Sequence, residues 1–126
     1  MSTTIVVLYH SSHGSVEAMA HEIAESIEQQ GATALLRTFV AKNPHDIVIN
    51  KDDLVACDGL AFGTPTRFGM MAAQAKTFWE TTSDLWLKGQ LIDKPACVFS
   101  SSSSMHGGNE ATLLNLSLPL LHHGMM

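Results

Sequence analysis

The chain is poor in cysteine, in positive charge and in long apolar runs, and each shortage removes a class of protein. Two cysteines in 126 residues, Cys57 and Cys97, cannot supply a disulfide framework. Both fall at or within segments that read as strands, where buried, reduced thiols and a cytoplasmic setting are expected. Seven Lys and Arg against twelve Asp and Glu leave a net charge of -5, which offers no basic footprint for nucleic acid. No apolar stretch approaches the roughly 20 residues of a membrane-spanning helix, so membrane insertion is not expected. The first residues carry no basic and apolar leader, so no signal peptide is expected. Seven histidines are present, yet none falls in a zinc-like spacing. His10 and His13 share a turn, and His122 and His123 are adjacent; no metal site is expected. A Gly-x-Ser-x-Gly elbow for serine hydrolysis is also missing.

What the chain does have is periodicity. With an apolar fraction of 45% and this length, a single domain spanning 1–126 with a substantial core is expected. The stretch Thr3 to Ile27 organises the rest. Ile5, Val6, Val7 and Leu8 form an unbroken run suited to a strand buried on both faces of a parallel sheet. A hydroxyl-rich turn follows: His10, Ser11, Ser12, His13, Gly14, Ser15. Then comes an amphipathic helix, with Val16, Met19, Ala20, Ile23, Ala24 and Ile27 on one stripe. Strand, polar turn and helix N-terminus together can hold a phosphate, because free amides, the helix dipole and serine hydroxyls converge on it. The turn has neither the Gly-Lys-Ser/Thr of nucleotide triphosphatases nor a GxGxxG. Serines without a lysine suit a single phosphate monoester. The plainer alternative is an ordinary connection with Ser15 as helix N-cap.

Farther along, Gly31 is placed to stop the first helix. Thr33 to Val40 reads as a second strand and Lys42 to Asp53 as a polar connector. A short helical turn spans about Asp52 to Cys57. Gly59 to Gly63 reads as a third strand, Met70 to Leu87 as a helix and Ala96 to Ser101 as a fourth strand. A last helix runs from about Asn109 to Leu121. This alternation predicts an α/β fold with a doubly wound parallel sheet and helices on both faces. Three polar loops, His10–Ser15, Thr64–Gly69 and Ser102–Gly108, then fall at the carboxyl ends of strands, where ligands bind in such folds. One cofactor touched by all three is the expectation.

At these loops the chain resembles a known family. Gly63-Thr64-Pro65-Thr66-Arg67-Phe68-Gly69, Leu85-Trp86, Phe99-Ser100-Ser101, His106-Gly107-Gly108-Asn109-Glu110 and His122-His123-Gly124-Met125 occur in register with the flavodoxin-like NAD(P)H:quinone oxidoreductases first described as tryptophan-repressor-binding proteins (the WrbA type). The resemblance covers essentially the whole chain. It implies a flavodoxin-like sheet of order 2-1-3-4, FMN as cofactor and NADH or NADPH as reductant. The implied reaction is two-electron reduction of quinones by hydride transfer through the flavin N5. It also implies a homo-oligomer, dimer or tetramer, with sites assembled from neighbouring subunits.

By motif, Ser11, Ser12, His13, Gly14, Ser15 and Val16 match the phosphate loop. Pro65, Thr66, Arg67, Phe68 and Gly69 match the loop edging the flavin ring. Ser101, Ser102, Ser103, Ser104, Met105, His106 and Gly107 match the third flavin loop. The catalytic roles implied fall on Arg67, which would stabilise charge on the reduced ring, on Trp86, walling the substrate pocket, and on His122, beside the ring. His13 stands where relatives carry an aromatic residue. Relatives also continue beyond His-His-Gly-Met into a further strand and helix, so strand four is expected to form an exposed edge here. Two other readings stay open: an electron-carrier flavodoxin, and a shortened relative without catalysis.

Overall fold

The computed structural model describes residues 2–126. Four parallel strands form one sheet in the order β2-β1-β3-β4, with β1 at Thr4–Tyr9, β2 at Thr33–Thr38, β3 at Gly59–Pro65 and β4 at Ala96–Ser101. The expected order 2-1-3-4 is the one observed.

Alternation along β1 explains why it is central. Val6 and Leu8 enter one apolar cluster with Leu54, Trp79, Leu116 and Leu120, while Val7 and Tyr9 enter a second one with Val16, Ala20 and Ala24. Side chains two apart on a strand share a face, so a run without polar residues fills both layers. Helix α1 (Ser15–Gln29) covers one face. The other face is covered by α2 (Lys51–Ala56), α3 (Ala73–Glu80) and α5 (Asn109–His122), with the short α4 (Ser83–Leu87) following α3. The centre of that larger layer is aromatic. Phe62 is fully buried, its ring 5.8 Å from Phe39 and 5.5 Å from Trp79, both edge-on.

Three expectations need correction. Strand β2 ends at Thr38 rather than Val40, because the connector bonds there: Thr38 N–H donates to the Ile47 carbonyl (2.9 Å) and the Thr38 carbonyl accepts from Ile49 N–H (2.8 Å). The chain then bends and Phe39 turns into the core. The expected helix from Met70 to Leu87 is two helices. Met71 and Ala72 spend their amides on Asn115 Oδ1 and Thr64 Oγ1, which delays the start to Ala73. At the far end, the hydroxyls of Thr81 and Thr82 bond back to the carbonyls of Phe78 (2.6 Å) and Trp79 (2.8 Å), competing with continuation of the helix. Finally, Cys97 is exposed, not buried. It lies beside Ala61 in the ladder, but the α1 layer closes over Phe99, two residues farther along β4, and leaves Cys97 open. Cys57 is buried as expected; burial pushes its thiol pKa up.

Strand β4 is the edge. Beside its start, Met126 N–H donates to the Lys94 carbonyl (2.9 Å) and Ala96 N–H donates to the Met126 carbonyl (2.8 Å), the pattern of a parallel ladder. The Lys94 ammonium reaches the carbonyls of Leu54, Val55 and Cys57 at 3.2, 2.6 and 2.5 Å. A cation on the last carbonyls of α2 complements the negative end of that helix and ties it to the start of β4.

Candidate functional site

The three loops meet. Ser11, Ser12, His13, Ser15 and Val16 from the first, Pro65, Thr66 and Arg67 from the second, and Ser101, Ser102 and Ser103 from the third line one cavity of about 210 Å³ at the carboxyl end of the sheet. The parallel strands deliver all three there, since each loop leaves the carboxyl end of its own strand.

The first loop is a helix start left open. Gly14, not Ser15, is the N-cap of α1; it has φ +100° and no side chain caps the helix. The first intrahelical bond is Ala18 N–H to the Gly14 carbonyl (3.0 Å), so the amides of Ser15, Val16 and Glu17 have no carbonyl partner within the helix. Ser11 Oγ accepts from Gly14 N–H (3.1 Å) and shapes the turn. Three amides without a carbonyl partner in the helix, the positive end of the dipole and the hydroxyls of Ser12 and Ser15 make a lining rich in hydrogen-bond donors. That chemistry fits a phosphate monoester, and so fits the tail of FMN.

The second loop is a tight turn. Arg67 and Met70 exchange backbone bonds of 2.9 and 3.1 Å, and between them Phe68 (φ +54°) and Gly69 (φ +77°) both adopt left-handed conformations. Positive φ at a phenylalanine is uncommon and costs energy, yet its ring stands 96% exposed at the rim of the site. Thr66 N–H donates to the Ser101 carbonyl (2.9 Å), joining the second loop to the third. The amides of Thr66 and Arg67 are thereby engaged internally, which leaves the Arg67 guanidinium as that loop's charged donor. It forms no ion pair among the described residues. Gly108 (φ +103°) allows α5 to start against this turn; a Cβ there would lie 3.2 Å from Thr66 Cγ2 and 3.5 Å from Gly69 Cα.

Of the third loop, Ser101 to Ser103 line the cavity, while Ser104, Met105, His106 and Gly107 do not. Met105 is exposed and His106 pairs with Glu110 at 3.2 Å. Gly14, Phe68 and Gly69 shape their turns without lining the cavity themselves.

Trp86 and His122 are brought together, but elsewhere. Both border a second cleft of about 280 Å³ with Trp79, Thr82 and His123. α5 begins at the carboxyl end of β4 and runs back for 14 residues, so His122 lies about 21 Å along the helix axis from the third loop at 1.5 Å per residue. Within one chain, neither residue reaches the three-loop cavity, where the resemblance placed His122 beside the ring and Trp86 as a wall of the substrate pocket. In this second cleft, Thr82 Oγ1 donates to the Trp79 carbonyl and therefore accepts from His123 Nε2–H at 2.9 Å. Burial, then the neighbouring His122, hold His123 below the ordinary histidine pKa, so the ring is neutral. Its Nδ1 and the Trp79 Nε1 are buried without a protein partner among the described residues.

Two groups under the first loop escaped the sequence reading. His10 is buried at the end of β1, and burial, Lys42 and Arg67 all push its pKa down. Tyr9, the chain's single tyrosine, is pushed up to about 12, chiefly by burial and then by Glu17 and Asp46. The folded state therefore favours the neutral phenol. That stability contribution is complete below about pH 10, the unfolded value, and is lost as pH rises toward 12. Absorbance near 295 nm reads this one residue, and a midpoint near 12 is expected. Ionisation at about 10 in the folded protein would show that the phenol is not shielded.

A four-stranded parallel sheet of order 2-1-3-4 with a polar cavity at its carboxyl edge defines a flavodoxin-like protein. Comparison with known proteins narrows this. The chain belongs to the NADPH-dependent FMN reductase family, which matches residues 3–126. It is 39% identical to a protein of Gluconacetobacter diazotrophicus described as NAD(P)H dehydrogenase (quinone), over 98% of this chain and 69% of that protein. A protein of Rhizobium rhizogenes with the same description is 35% identical, over 96% of this chain and 67% of its own length. Among solved structures, a flavodoxin described as WrbA-like from Agrobacterium tumefaciens superposes with a TM-score of 0.83 at 33% identity, covering 99% of this chain and 76% of that one. An archaeal flavodoxin superposes at 0.79 with 21% identity, covering 98% and 77%, and shares the fold.

Proposed function

We propose that this chain is an FMN-dependent oxidoreductase that passes two electrons from NADH or NADPH to quinones. The observation that carries the reading is the convergence of all three loops on one donor-lined cavity, in a family described by FMN reduction and beside relatives described as quinone dehydrogenases. Bound there, FMN supplies the electron-transfer chemistry. The chain's part is to hold and orient it. Ser11 to Val16 receive the phosphate through hydroxyls and helix amides. Pro65 to Gly69 edge the ring, with the Arg67 guanidinium as the cation that offsets negative charge. The third loop, Ser101 to Gly107, closes the remaining side.

Trp86 and His122 act on this reading in a neighbouring subunit's site, in a dimer or tetramer. An apolar stripe on α5 supports self-association: Leu114, Leu118 and Leu121 recur at i, i+4 and i+7 and are all more than half exposed. Two cysteines free of any disulfide, and no helix long and apolar enough to cross a membrane among the described residues, support a cytoplasmic setting.

The test is oxidation of NADH and of NADPH, followed at 340 nm, by FMN-supplemented protein with and without benzoquinone. Quinone-dependent oxidation is the expected result. A flavin-loaded protein that leaves both nicotinamides untouched would overturn the reductase and favour an electron carrier.

A further inference from the structure

The first loop contains no lysine or arginine, from His10 through Val16. A cation nevertheless reaches it from 31 residues away. The Lys42 ammonium donates to the Ser11 carbonyl at 2.6 Å. There it borders a separate polar cavity of about 230 Å³, together with Tyr9, His10, Glu17 and Asp46.

The approach of Lys42 is built, not incidental. The Asp46 carboxylate accepts the amides of Lys42 (2.9 Å) and Asn43 (3.0 Å), folding the segment after β2 back under the turn. Those two amides hold the Asp46 carboxyl below its ordinary pKa, so it remains an acceptor through the neutral range. Asp46 N–H closes the same turn on the Asn43 carbonyl (3.1 Å). The backbone of Lys42 is thereby fixed before its side chain extends. Ser11, its target, also accepts Gly14 N–H through Oγ, so one residue links the lysine to the start of α1.

We infer that Lys42 is the charged member of the phosphate site, a positioning residue that clamps the Ser11 carbonyl and sets one positive charge behind the bound phosphate. The inference rests on the flavin reading above and adds to it the source of phosphate selectivity. Hydroxyls and amides recognise the shape of a phosphate; an ammonium fixed on the Ser11 carbonyl favours its double negative charge. The neutrality of His10 beneath the same turn fits a site where Lys42 and Arg67 already supply the positive charge. Glu17 and Asp46 face the ammonium too, but Asp46 is committed to two backbone amides.

The test compares FMN with riboflavin, which shares the ring and lacks the phosphate. Both are titrated by fluorescence quenching into the wild-type protein, K42M and K42R, with thermal melts to establish folding. Wild type should prefer FMN. K42M should lose about tenfold in FMN affinity with riboflavin changed by less than about twofold, as expected for one partly screened charge interaction. K42R, which keeps the charge, should hold FMN within about threefold of wild type. FMN affinity of K42M should also depend less on salt than that of wild type. Equal losses for both flavins would make Lys42 merely structural and overturn the inference, as would K42M with unchanged FMN affinity. A wild-type protein that binds neither flavin overturns the flavin reading itself, a result distinct from either.

Discussion

Cutting Phe62 back to alanine is expected to lower stability by about 3–5 kcal/mol, the range for a large aromatic removed from a closed core. The side chain is fully buried on the central layer, with Phe39 and Trp79 packed edge-on and Phe78 next in the chain of rings at 5.3 Å from Trp79. These neighbours come from the end of β2 and from α3, elements held in place by other contacts, so they cannot collapse together into the space. Against a total stability of about 5–15 kcal/mol, the loss would bring the domain close to unfolding at ordinary temperature. Denaturant unfolding measures it, and a change below about 1 kcal/mol would show that the aromatic cluster is not the keystone of this layer.

Gly63→Val should damage fold and site together. Gly63 lies opposite Phe99 in the β3–β4 ladder, and a Cβ built on it would overlap the Phe99 ring outright. Overpacking of this kind costs about 1–3 kcal/mol. The displaced ring sits on β4 immediately before Ser100 and Ser101, so relief moves the start of the third loop. Gly63 also accepts His10 N–H at 3.1 Å, so its displacement disturbs the first loop as well. The expected result is a lower melting temperature and FMN binding weakened by at least tenfold, a larger loss than a remote destabilisation would give. A folded Gly63→Val protein with unchanged FMN affinity would contradict this coupling of glycine to loops.

Much of this was legible in the sequence, for physical reasons. A strand buried on both faces cannot carry polar residues, so Ile5 to Leu8 announced the central strand. The turn residues after it, after Gly63 and after Ser101 were placed at the carboxyl ends by the parallel topology alone. The break in the Met70–Leu87 helix had a signal that went unused: adjacent Thr81 and Thr82, whose hydroxyls compete for helix carbonyls. Cys97 had none, because its exposure depends on how far along β4 the α1 layer extends. Motif register matched Trp86 and His122 to the family's site, yet the expected helix from Asn109 to Leu121 already set His122 at the end away from the third loop. Lys42 was hidden most completely. Its partner is 31 residues back, and only the fold of the connector under the Ser11 turn brings them to 2.6 Å.

The central claim is that the three loops form one flavin site. Its most direct test is a titration of FMN into the purified protein, following quenching of flavin fluorescence. The account predicts saturable binding near one FMN per chain. A folded protein that leaves FMN fluorescence unquenched at every concentration would contradict it.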